Sequence, residues 1–263
     1  MTIRVAVFGA TGRMGSLVCR AVADDPELEL VGAIDPHHAG FDLQHATGVD
    51  VPGVTVDADP SVLVDRGVGV VVDFTLVDAA RANVAWAAEN GVHAVVGTSG
   101  FGEDDFAQIR KAFTTSNCLV APNFAIGAVL MMRFAELAAP YFETAEIIEL
   151  HHDQKVDAPS GTAMITARRM AASSDQWNDD PTTNAVLPGA RGARGPAGIP
   201  LHSVRLRGLV AHQEVLLGTT GQSLTIRHDS YDRSSFMPGV VLAVKQVGER
   251  PGLTIGLDEL LGL

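Results

Sequence analysis

An apolar, β-branched run, Ile3–Gly9, leads into Gly9-Ala10-Thr11-Gly12-Arg13-Met14-Gly15, and helical periodicity follows over Gly12–Asp24. This order of strand, glycine turn and helix constrains the fold more than any other feature of the chain. A strand that passes through such a turn into a helix opens a crossover, and crossovers of this kind build parallel sheets. The pattern continues. Leu28–Ile34, Val68–Phe74, Val92–Val96 and Cys118–Ala121 read as strands, with Val77–Glu89 and Gly102–Thr114 as helices between them. Strands this apolar, alternating with helices, predict a parallel sheet covered on both faces.

After Asn123 the rhythm changes. Gly127–Ala139 and Gly161–Ala172 have helical spacing, and Thr144–His151 reads as a strand. Residues 174–202 are polar and aperiodic, as expected of a lid or binding loop. His202–Arg207, Gln213–Leu217 and Ser223–Asp229 then follow at hairpin-like spacing, and Gly239–Val247 is helical before a short tail. The expected architecture is α/β. Residues 1–124 and 232–263 make a Rossmann-like, doubly wound dinucleotide-binding domain. Residues 125–231 make an inserted α+β domain with a mainly antiparallel open sheet.

Charge and composition narrow the partners. The formal net charge is −12 and no basic stripe is present, which argues against nucleic acid. A locally positive field can still receive a small anion. No apolar run approaches the ~18–20 residues that span a bilayer, and no signal-peptide pattern opens the chain. A cytoplasmic location without membrane partners is expected. Cys19 and Cys118 make no disulfide framework and no metal-ligand spacing, so both read as buried small hydrophobes.

The glycines at 9, 12 and 15 keep a G-x-x-G-x-x-G spacing. Absent Cβ atoms let backbone approach a pyrophosphate, and a helix N-terminus offers amides and a positive dipole end. Asp35 ends the second strand, where an acid would accept from the adenosine ribose. The plain alternative is a tight turn beside a surface aspartate. Asp35 would repel a 2′-phosphate, whereas Arg13, His37 and His38 would offset that repulsion, so both NADH and NADPH are expected. Three more loops lie at strand C-termini: Asp73-Phe74-Thr75, Gly97-Thr98-Ser99-Gly100 and Ala121-Pro122-Asn123-Phe124. Together they would floor a nicotinamide site.

The densest chemistry lies in Glu149–Ala163. His151 and His152 sit at a strand end, where side chains alternate between faces, so a shared metal is not expected; no H-E-x-x-H pattern is present either. One buried and one exposed histidine is the plain alternative. Lys155, one of only three lysines, follows within four residues. Ser160 is a natural N-cap, and Gly161 and Thr162 open the next helix, a place for a carboxylate. His151 can deliver a proton near neutral pH, and Lys155 can stabilise an anion.

These residues resemble the 4-hydroxy-tetrahydrodipicolinate (dihydrodipicolinate) reductase family over nearly the whole chain, in its actinobacterial form. Glu149–Ala163 is the most specific part, supported by His202-Ser203-Val204-Arg205, Gly208, His212 and Arg233-Ser234-Ser235-Phe236. The resemblance implies an oxidoreductase of lysine and diaminopimelate biosynthesis. NAD(P)H gives a hydride to C4 of a cyclic unsaturated imine, and His151 protonates the adjoining carbon. Lys155 assists and contacts the small dicarboxylate substrate, and His152, Ser160, Gly161 and Thr162 hold its carboxylates. Gly9, Gly12, Arg13, Met14, Gly15, Asp35, Phe74, Thr75, Gly97, Thr98, Ser99, Ala121, Pro122, Asn123, Phe124, Arg233 and Phe236 are the implied cofactor residues. A homotetramer joined through the second-domain sheets is also implied. Ser99 stands where the family commonly has Thr, and no Arg follows Asp35 as it does in NADPH-preferring members. Arg191-Gly192-Ala193-Arg194-Gly195 has no assigned role and reads as a solvated loop. Two other readings are a non-catalytic dinucleotide sensor and an aldehyde dehydrogenase with a cysteine nucleophile. A sensor has no need of a proton donor beside a carboxylate cradle, and neither Cys19 nor Cys118 adjoins the histidine motif or sits in an expected loop.

Overall fold

The computed structural model describes residues 2–263, so Met1, the first residue of the expected N-terminal domain, lies outside the described residues. The chain forms two compact units: residues up to Phe124 together with Phe236–Leu263, and Ala125–Ser235. In chain order the first unit runs β1 (Ile3–Phe8), α1 (Gly15–Asp24), β2 (Leu28–Ile34), α2 (Leu43–Thr47), β3 (Val56–Asp57), α3 (Val62–Asp65), β4 (Val70–Asp73), α4 (Val77–Glu89), β5 (His93–Val96), α5 (Glu103–Ala112) and β6 (Cys118–Val120). The second unit holds α6 (Ile126–Ala138), β7 (Thr144–His151), α7 (Gly161–Ser173), β8 (Ala193–Arg194), β9 (Pro200–Arg205), β10 (Ala211–Thr219) and β11 (Gln222–Ser230). The chain then returns to the first unit with α8 (Met237–Gln246) and β12 (Leu253–Ile255).

The first sheet is ordered β12-β6-β5-β4-β1-β2-β3, and every pairing is parallel. It is Rossmann-like. From β1 the chain runs outward to β2 and β3, then crosses back to β4 on the other side of β1. That reversal places the loops after β1 and β4 side by side at the strand C-termini, where doubly wound sheets bind ligands. Phe8, Ile34, Leu63, Val71, Val84 and Val96 belong to one buried cluster that fixes the strand ends.

Two details depart from the sequence reading. Helix α1 begins at Gly15, not Gly12, because the backbone from Gly9 to Gly12 is tied down as a turn. The Gly9 and Ala10 amides donate to the Ile34 carbonyl at 2.8 and 3.2 Å, and the Gly12 amide donates to that of Gly9 at 3.0 Å. In addition, α2, β3, α3 and β12 arise where no periodicity was read. Each is too short to show a period.

The second sheet is ordered β11-β10-β7-β9-β8. β10 and β11 form a tight antiparallel hairpin, and β10 also pairs antiparallel with β7. β9, expected to join that antiparallel set, instead pairs parallel with β7, from Ile147↔Leu201 to His151↔Arg205. The long segment between β7 and β9 supplies the crossover that a parallel pair requires. Around Arg191–Gly195 that segment is at least partly solvent-exposed, as expected, but it is not wholly a loop. Ala193 and Arg194 form β8 on the edge of β9. Arg191 donates to Glu146 at 2.6 Å and lies 3.4 Å from an Asp180 oxygen. An open sheet edge offers unpaired amides and carbonyls, and this strand satisfies some of them.

No helix is long and apolar enough to cross a membrane among the described residues.

Candidate functional site

In the first unit the glycine turn is built by collision. Gly9 takes φ +69°. A Cβ on Gly15 would lie 2.0 Å from the Gly9 carbonyl oxygen, so only glycine lets α1 pack against the turn. Asp35, buried at the end of β2, accepts from the Thr11 amide at 3.2 Å, from the Thr11 hydroxyl, and from the His37 amide at 3.1 Å. Burial pushes its carboxyl up, but these bonds outweigh burial and hold it below the usual carboxylate range. The single hydroxyl proton of Thr11 goes to Asp35. His38 Nδ1, 2.8 Å from that hydroxyl oxygen, is therefore the donor to it.

Asp73 ends β4 and is 1% exposed. It accepts from the Thr75 amide, the Thr75 hydroxyl and the Thr98 hydroxyl, each at 2.8 Å, and from the Asn83 amide at 2.7 Å. One carboxylate thus pins the Phe74-Thr75 loop to the Gly97–Gly100 loop. A Cβ on Gly97 would lie 2.1 Å from the Phe74 ring, so this contact also requires glycine. Phe74 packs in turn on Phe124 with ring centroids 5.6 Å apart. Of the other implied cofactor residues, Gly12, Arg13, Ser99 and Pro122 are exposed, whereas Ala121 and Phe124 are buried. Phe124, 2% exposed, is a packing residue behind the loop rather than an open ring surface. Arg233 and Phe236 lie on the helical turn before α8. The glycine cradle, the buried acid and the pinned loops fit a dinucleotide.

In the second unit the centre is Glu149. It lies inside β7 and is fully buried. One oxygen is 2.5 Å from His151 Nδ1; Arg205 donates to both oxygens at 2.8 Å, and the Ser160 amide donates at 3.2 Å. Burial pushes the carboxyl up, but the bonds from His151, Arg205 and Ser203 prevail and hold it at about 2. His151, at the end of β7, and Ser160, the residue before α7, therefore share one carboxylate across the bend between them. Ser160 caps α7 by accepting from the Ala163 amide at 3.2 Å. A Cβ on Gly161 would meet nothing within 4 Å, so the helix start faces open space. Thr166 and Gln213, hydrogen-bonded at 2.8 Å, moor α7 to β10.

Lys155 is 20% exposed at its side chain and reaches both Asp157 oxygens, at 2.6 and 2.8 Å. That ammonium holds the Asp157 carboxyl below its usual range. His152 is half-buried, and its carbonyl accepts from the Lys155 amide at 3.2 Å. Among the described residues, no group of three or more His, Cys, Asp or Glu side chains is placed to hold a metal ion. Cys19 and Cys118 are buried. Burial pushes the Cys19 thiol up to about 12 and raises Cys118 as well, so neither is a ready nucleophile.

Sequence reasoning left Glu149, Arg205 and Asp73 without roles. Glu149 carried one signal: a charged residue between Ile148 and Leu150 in an apolar strand must be paired if it is buried. Nothing in the spacing pointed to Arg205, because its approach depends on the β7–β9 register.

Residues 3–124 match the family model for dihydrodipicolinate reductase, N-terminus, and residues 127–261 match that for dihydrodipicolinate reductase, C-terminus. A 4-hydroxy-tetrahydrodipicolinate reductase from Cutibacterium acnes is 49% identical over 266 residues, covering 99% of each chain. One from Nocardia farcinica is 49% identical over 269 residues and covers 100% of each. A dipicolinate-bound dihydrodipicolinate reductase from Paenisporosarcina sp. TG-14 is similar in structure with a TM-score of 0.86 at 43% identity, over 98% of this chain and 99% of that one.

Proposed function

The chain belongs to the dihydrodipicolinate reductase family, and on that premise we propose how its own residues divide the reaction. The protein reduces 4-hydroxy-2,3,4,5-tetrahydrodipicolinate, by way of its dehydrated form, to tetrahydrodipicolinate with a nicotinamide dinucleotide, a step of lysine and diaminopimelate biosynthesis. When bound, the dinucleotide supplies a hydride to C4 of the unsaturated imine. Charge then gathers on the enamine of the substrate ring. His151 donates a proton to the carbon adjoining C4, which restores the imine. Lys155 contacts the substrate and offsets the transient negative charge by turning part of its ammonium from Asp157. Ser160, Gly161 and Thr162, with His152, receive the substrate carboxylates at the start of α7.

One observation carries this division. The Glu149 carboxylate binds both the His151 ring and the Ser160 amide, so proton donor and anion cradle belong to one site.

Gly9, Gly12, Arg13, Met14, Gly15 and Asp35 would hold the adenosine end of the dinucleotide. Phe74, Thr75, Gly97, Thr98, Ser99 and the Ala121–Phe124 loop would floor the nicotinamide, with Arg233 and Phe236 contributing from the turn before α8. Both NADH and NADPH serve. Asp35 accepts ribose hydroxyls, while the exposed Arg13, His37 and His38 temper its repulsion of a 2′-phosphate. The working form is a cytoplasmic homotetramer joined through the second-unit sheets. Support for this comes from the long edge strand β11 and the exposed Leu224 on it, features that usually call for a cover.

The test follows nicotinamide oxidation with pyruvate, aspartate semialdehyde and the partner synthase, using each dinucleotide separately. Rapid oxidation that requires the synthase is expected with both. Total loss with one would overturn dual use. No oxidation with either, from protein shown to bind them, would overturn the division of roles.

A further inference from the structure

We propose that Glu149, held ionised by Arg205, is a positioning residue that fixes the tautomer of the proton donor. The inference rests on the reading of His151 as that donor.

Glu149 is fully buried in β7, two residues before its end and between Ile148 and Leu150. Two charges are desolvated there, Glu149 and most of Arg205. An apolar side chain of similar size would fill the same space without that penalty, so a buried ion pair is weak evidence of a purely stabilising role. The arrangement makes chemical sense once its partners are followed. Arg205 lies at the register position of His151 on the neighbouring strand and grips both Glu149 oxygens at 2.8 Å. The same guanidinium also donates to the Asp157 carbonyl at 2.7 Å and the Val204 carbonyl at 2.8 Å. A guanidinium keeps its charge in proteins, so the carboxylate against it stays ionised and can only accept.

That settles the direction of the 2.5 Å contact to His151. The proton between them belongs to Nδ1, and the transferable proton of the imidazolium therefore sits on Nε2. When His151 acts, its Nε2–H bond breaks and its electron pair remains on Nε2. The enamine pair of the substrate forms the new C–H bond. What remains is the neutral imidazole with its proton on Nδ1, the form that Glu149 already holds. Nε2 then takes up one proton from solvent to restore the imidazolium, with no ring flip and no change at Nδ1.

Two measurements test this. The first uses ¹⁵N NMR of histidine-labelled wild-type protein at alkaline pH, with the His151 signals assigned by their loss in His151→Gln. Neutral His151 carrying its proton on Nδ1 is expected, and a proton on Nε2 would overturn the proposal. It requires no Glu149 variant, so it stands even if one fails to fold. The second is kinetic. Glu149→Gln is expected to lower kcat about 100-fold or more while substrate KM stays within about 3-fold. Dinucleotide affinity, read directly by fluorescence titration, should not move. Glu149→Asp, which keeps the charge, should recover part of the loss. Placed on His151→Gln, the Glu149→Gln change should cost less than about 3-fold further, because its effect passes through the ring. Losses that multiply would overturn the positioning role. Wild-type turnover in His151→Gln alone would instead refute His151 as the acid, whatever tautomer is found.

Discussion

Asp73 in the first unit and Glu149 in the second are both carboxylates buried at or near the end of a central strand, and the two are satisfied by different chemistry. Asp73, closing β4, accepts only from neutral donors: the amide and hydroxyl of Thr75, the hydroxyl of Thr98 and the side-chain amide of Asn83. Glu149, two residues before the end of β7, is gripped by a guanidinium and an imidazole. Neutral hydroxyls and amides do not exchange protons with a carboxylate at working pH. Asp73 can therefore fix the shape of two loops and do nothing more. Glu149 touches an imidazole, a side chain that can both give and take a proton, so its geometry bears on proton transfer. On the proposed division of roles, the same residue class, equally sealed from solvent, serves as scaffold in one unit and as part of a proton path in the other.

The sharpest way to break this contrast is His151→Gln. Turnover should fall about 10²–10⁴-fold with dinucleotide affinity unchanged, as measured by steady-state kinetics beside a binding titration. Normal turnover would leave Glu149 with no proton path to serve. Lys155→Ala comes next. A loss of about 10–100-fold in kcat/KM is expected, shared between kcat and KM, since in the proposed mechanism the ammonium meets substrate before and during the reaction. A variant with ordinary kinetics would return Lys155 to a surface pairing with Asp157.

Asp73→Asn probes the other side. One donor would lose its partner, which lowers stability by about 1–3 kcal/mol and weakens dinucleotide binding. The pH profile of kcat should keep its shape; a displaced profile would mean that Asp73 is more than a scaffold. Acid stability gives the last contrast. Glu149 is held at about 2 in the folded protein against an ordinary 4.5. Its contribution is therefore complete above about pH 4.5 and is lost as pH falls toward about 2. Over that window the wild type should lose stability more steeply than Glu149→Gln. Equal slopes in acid titration would mean that Arg205 and His151 do not hold the carboxylate in solution.

How much of this could be read in the sequence also differs between the units. The glycine turn was legible because its demands are local: Gly9 needs positive φ, and Gly15 has no room for a Cβ. The helix start was misplaced by three residues because the bonds from Gly9 and Ala10 to Ile34 span a strand and a helix. β3 and β12 are only two and three residues long, too short for alternation to register. In the second unit the His-Lys-Ser-Gly-Thr cluster was legible because it is contiguous. Its counter-ion was not. Hairpin spacing suggested that β9 would join β10, whereas it lies on the far side of β7, and only that register brings Arg205 to Glu149.

The placement of β7 between β9 and β10 has a consequence for the order of synthesis. A nascent chain that has released residues 149–163 carries the whole motif but neither neighbouring strand of β7. The cation for Glu149 emerges 56 residues after it. Until then the Glu149 carboxylate has no cation to replace its hydration, and β7 has neither of its neighbouring strands to pair with. The first unit waits longer still: β12, which pairs with β6, follows the whole second unit in the chain. Neither unit can complete its sheet until a strand far along the chain has been made.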